Sequence, residues 1–293
     1  MADRIQSILT ATDFSPDANN AVQRAALLAD ALNASLRIAH SLEPSVIQVV
    51  RETLRLSLST GPDSLLDKPG DSLKALASNI ATGADQQPTI ELLEGAAAST
   101  IPKAATDHDL LVLGAQGRHR FREFALGTTA QRIIEKVECP VLAVRNPAEK
   151  PYANVLIATD FSPASERAAA VAKTLAPQAQ SLAAHAFQVH HELQMAYAEV
   201  DDETLNLYRQ KAQEESEGRM KEFLRNTGLA DAGSESVVQA GYPPRVLSEL
   251  AQARDVDLIV LGRRGHSPLD RLLTGSVTQN LLAGAPCDVL VVS

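Results

Sequence analysis

The stretch Ile8-Leu-Thr-Ala-Thr-Asp13-Phe-Ser-Pro16 returns 147 residues later as Val155-Leu-Ile-Ala-Thr-Asp160-Phe-Ser-Pro163. A second pair, Leu110-Leu-Val-Leu-Gly114-Ala-Gln-Gly117 and Leu258-Ile-Val-Leu-Gly262-Arg-Arg-Gly265, keeps the same register to within one residue, as do Cys139 and Cys287. A register held across half a chain means duplication of a complete domain, not a solenoid of short repeats. With 293 residues, each copy has chain enough for its own core. The expected domains are residues 1–146 and 152–293, joined by the polar, proline-bearing Arg145-Asn-Pro-Ala-Glu-Lys-Pro151.

Each half alternates strand and helix patterns. In the first, strands are expected over 4–12, 36–40, 89–93, 110–113 and 141–144. Ser15 and Pro16 supply an N-cap and a first-turn proline, and Val22, Ala25, Ala26, Ala29 and Leu32 then recur at helical spacing. Residues 46–83 read as two helical pieces broken at Thr60-Gly-Pro62 and Pro69-Gly70, and further helices are expected over 99–106 and 128–137. The second half repeats the order, with a long, strongly charged helix around 199–226. Right-handed β-α repeats give a parallel sheet covered on both faces, and ligands of such sheets bind at the carboxyl ends of the strands.

The two glycine stretches carry the chemistry. Each apolar run stops at a glycine, and a further Gly-hydroxyl pair, Gly127-Thr128 or Gly275-Ser276, follows Gly117 or Gly265 after nine intervening residues and opens a helical pattern. Glycines let a ligand approach the backbone, and the first N–H groups of a helix lack internal partners, so strand, glycine loop and helix N-terminus make an anion site. The competing reading is that these glycines only make turns and a close helix–sheet contact.

A net charge of −9, acidic in both halves, gives no global positive field for nonspecific nucleic-acid binding. Basic clusters are local: Arg118, Arg120 and Arg122 in one loop, Arg263, Arg264 and Arg271 in the other, read as phosphate clamps or as exposed loop charge. No apolar run reaches bilayer length and the start carries no signal-peptide pattern, so a cytoplasmic protein is expected. Two cysteines at one repeated position argue against a disulfide framework and for small buried hydrophobes, and His190-His191 lacks the spacing of a metal site. His40 and His185 are expected to pack rather than react.

Ala-Thr-Asp-Phe-Ser after the first strand, the glycine spacing after the fourth, and Cys-Pro-Val-Leu-Ala-Val or Cys-Asp-Val-Leu-Val-Val in the fifth resemble the universal stress protein family. The resemblance implies an α/β fold of two tandem open five-stranded parallel sheets, order 3-2-1-4-5, with helices on both faces. It also implies that members carrying the glycine motif bind ATP, whereas members lacking it generally do not. On that resemblance Asp13 and Asp160 lie near ribose and adenine. Gly114, Gly117, Gly127 and Thr128 wrap the phosphates in the first domain, and Gly262, Gly265, Gly275 and Ser276 do so in the second. Val277 offers a backbone N–H, and Thr129 stands in its place in the first copy. Phe14 and Phe161 depart from the Gly-Ser often found after the aspartate, and such a ring is expected to narrow the base pocket.

Three functions stay open on the sequence: a regulatory ATP-binding module of the stress response, a slow ATPase using the same crevice, and a structural interaction protein with degenerate pockets. No Walker, G-x-G-x-x-G or G-x-S-x-G motif is present. Asp13 and Asp160 are read as ligands of ribose or of a phosphate-bound Mg2+, or else as turn residues holding backbone N–H groups. The apolar fifth strands need cover, which points to the halves packing as an intrachain pseudo-dimer and to a homodimer of whole chains.

Overall fold

A computed structural model describes residues 4–43, 64–80, 87–116, 126–188, 202–263 and 275–293. The chain divides into two compact units, the first ending at Pro151 and the second beginning at Tyr152.

The first unit runs β1 (Ser7–Ala11), α1 (Pro16–Leu32), β2 (Ser35–Leu42), α2 (Ser64–Asn79), β3 (Thr89–Glu94), α3 (Ala97–Ala104), β4 (Leu110–Gly114), α4 (Thr128–Lys136) and β5 (Val141–Val144). Its strands lie in the order β3-β2-β1-β4-β5, all parallel. The second unit runs β6 (Asn154–Ala158), α5 (Pro163–Leu175), β7 (Gln180–Phe187), α6 (Asp202–Thr227), β8 (Glu235–Ala240), α7 (Pro243–Ala253), β9 (Leu258–Gly262), α8 (Ser276–Gly284) and β10 (Asp288–Val292). Its order is β8-β7-β6-β9-β10, again parallel. This is the expected α/β architecture. Among the described residues no helix is long and apolar enough to cross a membrane.

The central strands are continuous apolar runs because helices cover both faces: Ile8, Leu9, Leu110, Leu111 and Val112 are fully buried, as are Leu156, Ile157, Leu258, Ile259 and Val260. Thr10, buried among them, donates its hydroxyl to the Val112 carbonyl at 3.2 Å, which removes the cost of an unpaired polar group. At the amino ends of the strands, Asp109 Oδ2 accepts from the Gln6 and Ser7 N–H groups and Asp257 Oδ2 from those of Ala153 and Asn154. The repeat thus carries a carboxylate that ties the start of one central strand to the next.

Helix α1 starts where the sequence places it. Ser15 Oγ accepts the Ala18 N–H at 3.2 Å, Pro16 takes the first turn, and Asn33 in the left-handed region ends the helix. Ser162 and Pro163 repeat the device at α5. The buried faces of both helices are mostly alanine, which lets the helix axes come close to β4 and β9.

One helix differs from expectation. Helix α2 runs unbroken through Pro69 and Gly70. Leu73, fully buried, anchors it, and a Cβ at Gly70 would meet Leu92 Cδ1 at 3.7 Å, so the helix lies directly on β3. Burial of that face outweighs the local break signal. The break expected at 60–62 and the helix piece over 46–63 lie outside the described residues.

Candidate functional site

Each unit opens a cleft at the carboxyl ends of its central strands. In the first, a cleft of about 330 Å3 is lined by Thr12 and Asp13 after β1, Gly114 at the end of β4, and Gly127, Thr128 and Thr129 at the start of α4. In the second, about 260 Å3 is lined by Thr159, Asp160, Gly262, Gly275, Ser276 and Val277. Sites for small molecules run from roughly 300 Å3 upward, so the first volume falls at the low end of that range and the second just below it. Of the residues expected to form the site, these come together; Gly117 and Gly265 lie outside the described residues, with Arg118, Arg120, Arg122, Arg264, Arg271, His190 and His191.

The turn after β1 is built by its own side chains. Thr12 Oγ1 accepts the Phe14 N–H at 3.0 Å, and Asp13 Oδ1 accepts the Ser15 N–H at 2.9 Å. The same bonds recur at 2.9 and 3.0 Å through Thr159 and Asp160. Together they hold Phe14 and Phe161 at φ of 62° and 63°, a left-handed conformation unfavourable for a bulky side chain. Ring packing compensates: Phe14 lies on His40 with centroids 4.6 Å apart, Phe161 on His185 at 4.2 Å. Neither Phe14 nor Phe161 is among the described residues lining its cleft.

His40 and His185 pack, as expected, and do more. Each Nδ1 lies 2.7 Å from a backbone oxygen, Thr12 O or Thr159 O. A carbonyl only accepts, so Nδ1 carries the proton and Nε2 is the basic nitrogen of the neutral ring. Burial lowers the His185 pKa below its usual value; the bond to Thr159 opposes this, and nearby Arg219 adds to it. His40 also lines the first cleft, whereas His185 does not line the second.

The glycines divide into two kinds. A Cβ on Gly114 would stand 2.8 Å from the Asp17 carbonyl carbon and 2.9 Å from the Ala18 nitrogen; on Gly262 it would stand 2.8 Å from the Ala164 carbonyl carbon. These two glycines are required by the approach of α1 to β4 and of α5 to β9, the packing alternative raised by the sequence. Gly275 is different. Among the described residues a Cβ there would meet only the Arg263 carbonyl oxygen, at 3.9 Å, so their packing does not demand glycine. Gly127 and Gly275 stand at the N-cap positions of α4 and α8 and, as glycines, lend those helices no side-chain cap. The first turns of both helices line the clefts, where an anion would be held by main-chain donors and the helix dipole.

Residues 4–145, and again residues 151–293, match the Universal stress protein family. The chain belongs to this family. A universal stress protein of Mycobacterium tuberculosis is 25% identical over 217 residues, 72% of this chain and 71% of that protein. One from Thermus aquaticus is 32% identical over 145 residues, 48% of this chain and 98% of that one. The crystal structure of a universal stress protein from Archaeoglobus fulgidus has the same fold, with a TM-score of 0.67 and 18% identity over 98% of both chains.

Within this tandem universal stress protein, several cleft residues belong to no sequence motif. Ser41, Ala97 and Ile101 line the first cleft, and Pro243, Leu247, Ser165 and Thr278 the second. They are small or apolar and carry no motif; the only signal was that Ala97 and Pro243, or Ile101 and Leu247, fall at repeated positions. Arg263, weighed as exposed loop charge, is instead 7% exposed and lines the second cleft. Among the described residues no three of His, Cys, Asp and Glu converge on a metal position.

Proposed function

We propose that the protein is a cytoplasmic, ATP-binding regulatory module of the stress response, with a nucleotide site in each cleft. The observation that carries the reading is the pair of helix N-termini at Gly127 and Gly275, each begun by a glycine that lends no side-chain cap and each lining its cleft. The residues fit a polyphosphate. Thr128, Thr129, Ser276 and Val277 offer main-chain N–H groups, while Asp13 and Asp160 lie across the cleft for ribose hydroxyls. One helix N-terminus contributes about 0.3–1 kcal/mol per nearby charge when exposed and up to ~2 kcal/mol when partly buried. Several donors must therefore act together for useful affinity. Mg2+ would enter with the phosphates, since among the described residues each cleft offers it a single carboxylate, and Mg2+ commonly binds through one or two carboxylates plus substrate phosphates.

Mass analysis of nucleotide released on denaturing the purified protein, followed by titration calorimetry with ATP, tests the reading. Released adenine nucleotide and saturable uptake support it; a sample that carries none and takes up none overturns it. A second reading, slow ATP hydrolysis, is favoured at the first cleft alone, because His40 lines it with a basic Nε2. Phosphate release above background that disappears in H40F would support hydrolysis there.

We also propose that the halves pack as an intrachain pseudo-dimer and that whole chains form a homodimer. Small-angle scattering and analytical ultracentrifugation read out both.

A further inference from the structure

A cavity of about 720 Å3, well inside the range of small-molecule sites, opens at the other end of the second unit's sheet, at the amino ends of β6, β7 and β8. Its origin is a helix one turn short. Helix α1 runs for 17 residues and its counterpart α5 for 13, a difference of about one turn. Pro177 stops α5: it has no N–H for the Lys173 carbonyl, and it pushes Ala176 out of the helical region, to φ −137° and ψ 67°. Ala176, Pro177 and Ala179 then line the cavity where a further turn would lie.

Floor and rim differ in character. Val155, Leu182, Leu229 and Val256, all buried, make an apolar floor. Two cations stand at the rim. Lys173 Nζ donates to the Thr227 carbonyl at 3.1 Å, and Arg254 Nη1 to Glu235 Oε2 at 2.7 Å. Among the described residues neither side chain has a second partner, so each keeps further donors. The Arg254–Glu235 pair is exposed on both sides, and an exposed pair is weakly held, so a ligand carboxylate can take the place of Glu235. The helix C-termini at Thr227 and Ala253 offset part of the positive charge, which makes the head-group attraction modest and the floor the main source of affinity.

We infer that this cavity binds a small amphipathic carboxylate, its hydrocarbon body on the apolar floor and its head group against Lys173 and Arg254. Two cations against one carboxylate favour an anionic head over an ammonium, and the Arg254–Glu235 contact shows that a carboxylate seats on this guanidinium. The buried valines and leucines favour hydrocarbon over a sugar or a nucleotide. The cavity shares no described residue with either cleft, so its occupancy is independent of nucleotide.

Amide-detected NMR of the full-length chain, titrated with octanoate and with octan-1-ol, tests it on wild type and on K173Q/R254Q. Both substituted residues are exposed, so the fold should persist, and amides far from the cavity report whether it does. Octanoate is expected to move the amides of Ser181, Leu182, Ser234 and Val256 saturably, and octan-1-ol to bind more weakly at the same amides. In K173Q/R254Q octanoate should weaken by roughly threefold to thirtyfold, the scale of two exposed charge contacts, while octan-1-ol stays within about twofold of wild type. Wild-type amides at the cavity that do not respond to octanoate overturn the inference. So does equal binding of octanoate and octan-1-ol by the wild type, or octanoate binding unchanged in the double variant.

Discussion

His185 packs on Phe161 with ring centroids 4.2 Å apart, and Arg219 of α6 lies 4.6 Å from the centroid of the same phenyl ring. The long charged helix is thereby attached to the turn that carries Asp160. Burial depresses the His185 pKa, the Thr159 carbonyl and Asp160 act the other way, and Arg219 adds to the depression. With the native value below the unfolded 6.5, the unfolded chain binds more protons as pH falls. The contribution of His185 to stability is thus complete above pH 6.5 and is lost as pH falls through the depressed native value. By NMR we expect His185 to titrate below the unfolded midpoint in the wild type and to move upward in R219A. A midpoint unmoved by R219A would mean that the guanidinium is not felt at the ring.

The two kinds of glycine should separate folding from binding. G262A forces a Cβ to within 2.8 Å of the α5 backbone, which cannot yield as a side-chain tip would. Overpacking of this sort costs about 1–3 kcal/mol, and at roughly 2–4 °C per kcal/mol for a chain section of this size it should appear as a lowered Tm. Among the described residues G275A meets nothing closer than 3.9 Å, and its φ of −57° suits any residue, so its Tm should stay near wild type. The added methyl stands at the N-cap of α8, however, and should weaken ATP at the second cleft. A destabilised G275A with unchanged ATP affinity would reverse the assignment.

The duplication and the helix caps made much of this legible before any coordinates. Ser15-Pro16 and Ser162-Pro163 mark helix starts by local chemistry alone, and local chemistry is what a sequence prints. What it does not print is distance between elements. Gly114 reads as a phosphate glycine because a strand-end glycine before a loop has that meaning in isolation; only the position of Asp17 and Ala18 reveals the packing reason. Arg263 likewise reads as loop charge until β10 is seen to run beside it. The unbroken α2 had the opposite difficulty, a strong local signal at Pro69-Gly70 overruled by burial of Leu73 beyond it.

Cys139 should be nearly inert. Burial pushes its thiol up to about 11, with backbone hydrogen bonds opposing and Asp109 adding to the rise. At pH 8 only about one molecule in a thousand then carries the reactive thiolate. The native thiol retains its proton where the unfolded one, near 9.0, has lost it, so the stability tied to this group is intact below pH 9.0 and lost as pH rises through about 11. Iodoacetamide at pH 8 should label the unfolded chain far faster than the native one, and native labelling at the unfolded rate would contradict the assignment.

Asp13 has two roles to disentangle, and one pair of substitutions does it. Its Oδ1 accepts the Ser15 N–H at 2.9 Å, and Ser15 in turn caps Ala18. D13A removes that acceptor and loosens the cap, at a cost of about 0.5–2 kcal/mol that lowers Tm whether or not nucleotide binds here. D13N keeps an oxygen in the same place, so the turn should survive and the Tm should stay close to wild type. What D13N loses is the charge, and with it any hold on Mg2+ and part of the hold on ribose hydroxyls. If Asp13 faces a ligand, calorimetry should find ATP affinity at the first cleft reduced about tenfold in D13N, more in the presence of Mg2+ than without it. If D13N binds ATP as the wild type does, the carboxylate serves the turn alone, and the ligand must be held from the α4 side of the cleft. The same pair at Asp160, whose Oδ1 accepts from Ser162 at 3.0 Å, puts the second cleft to the same choice.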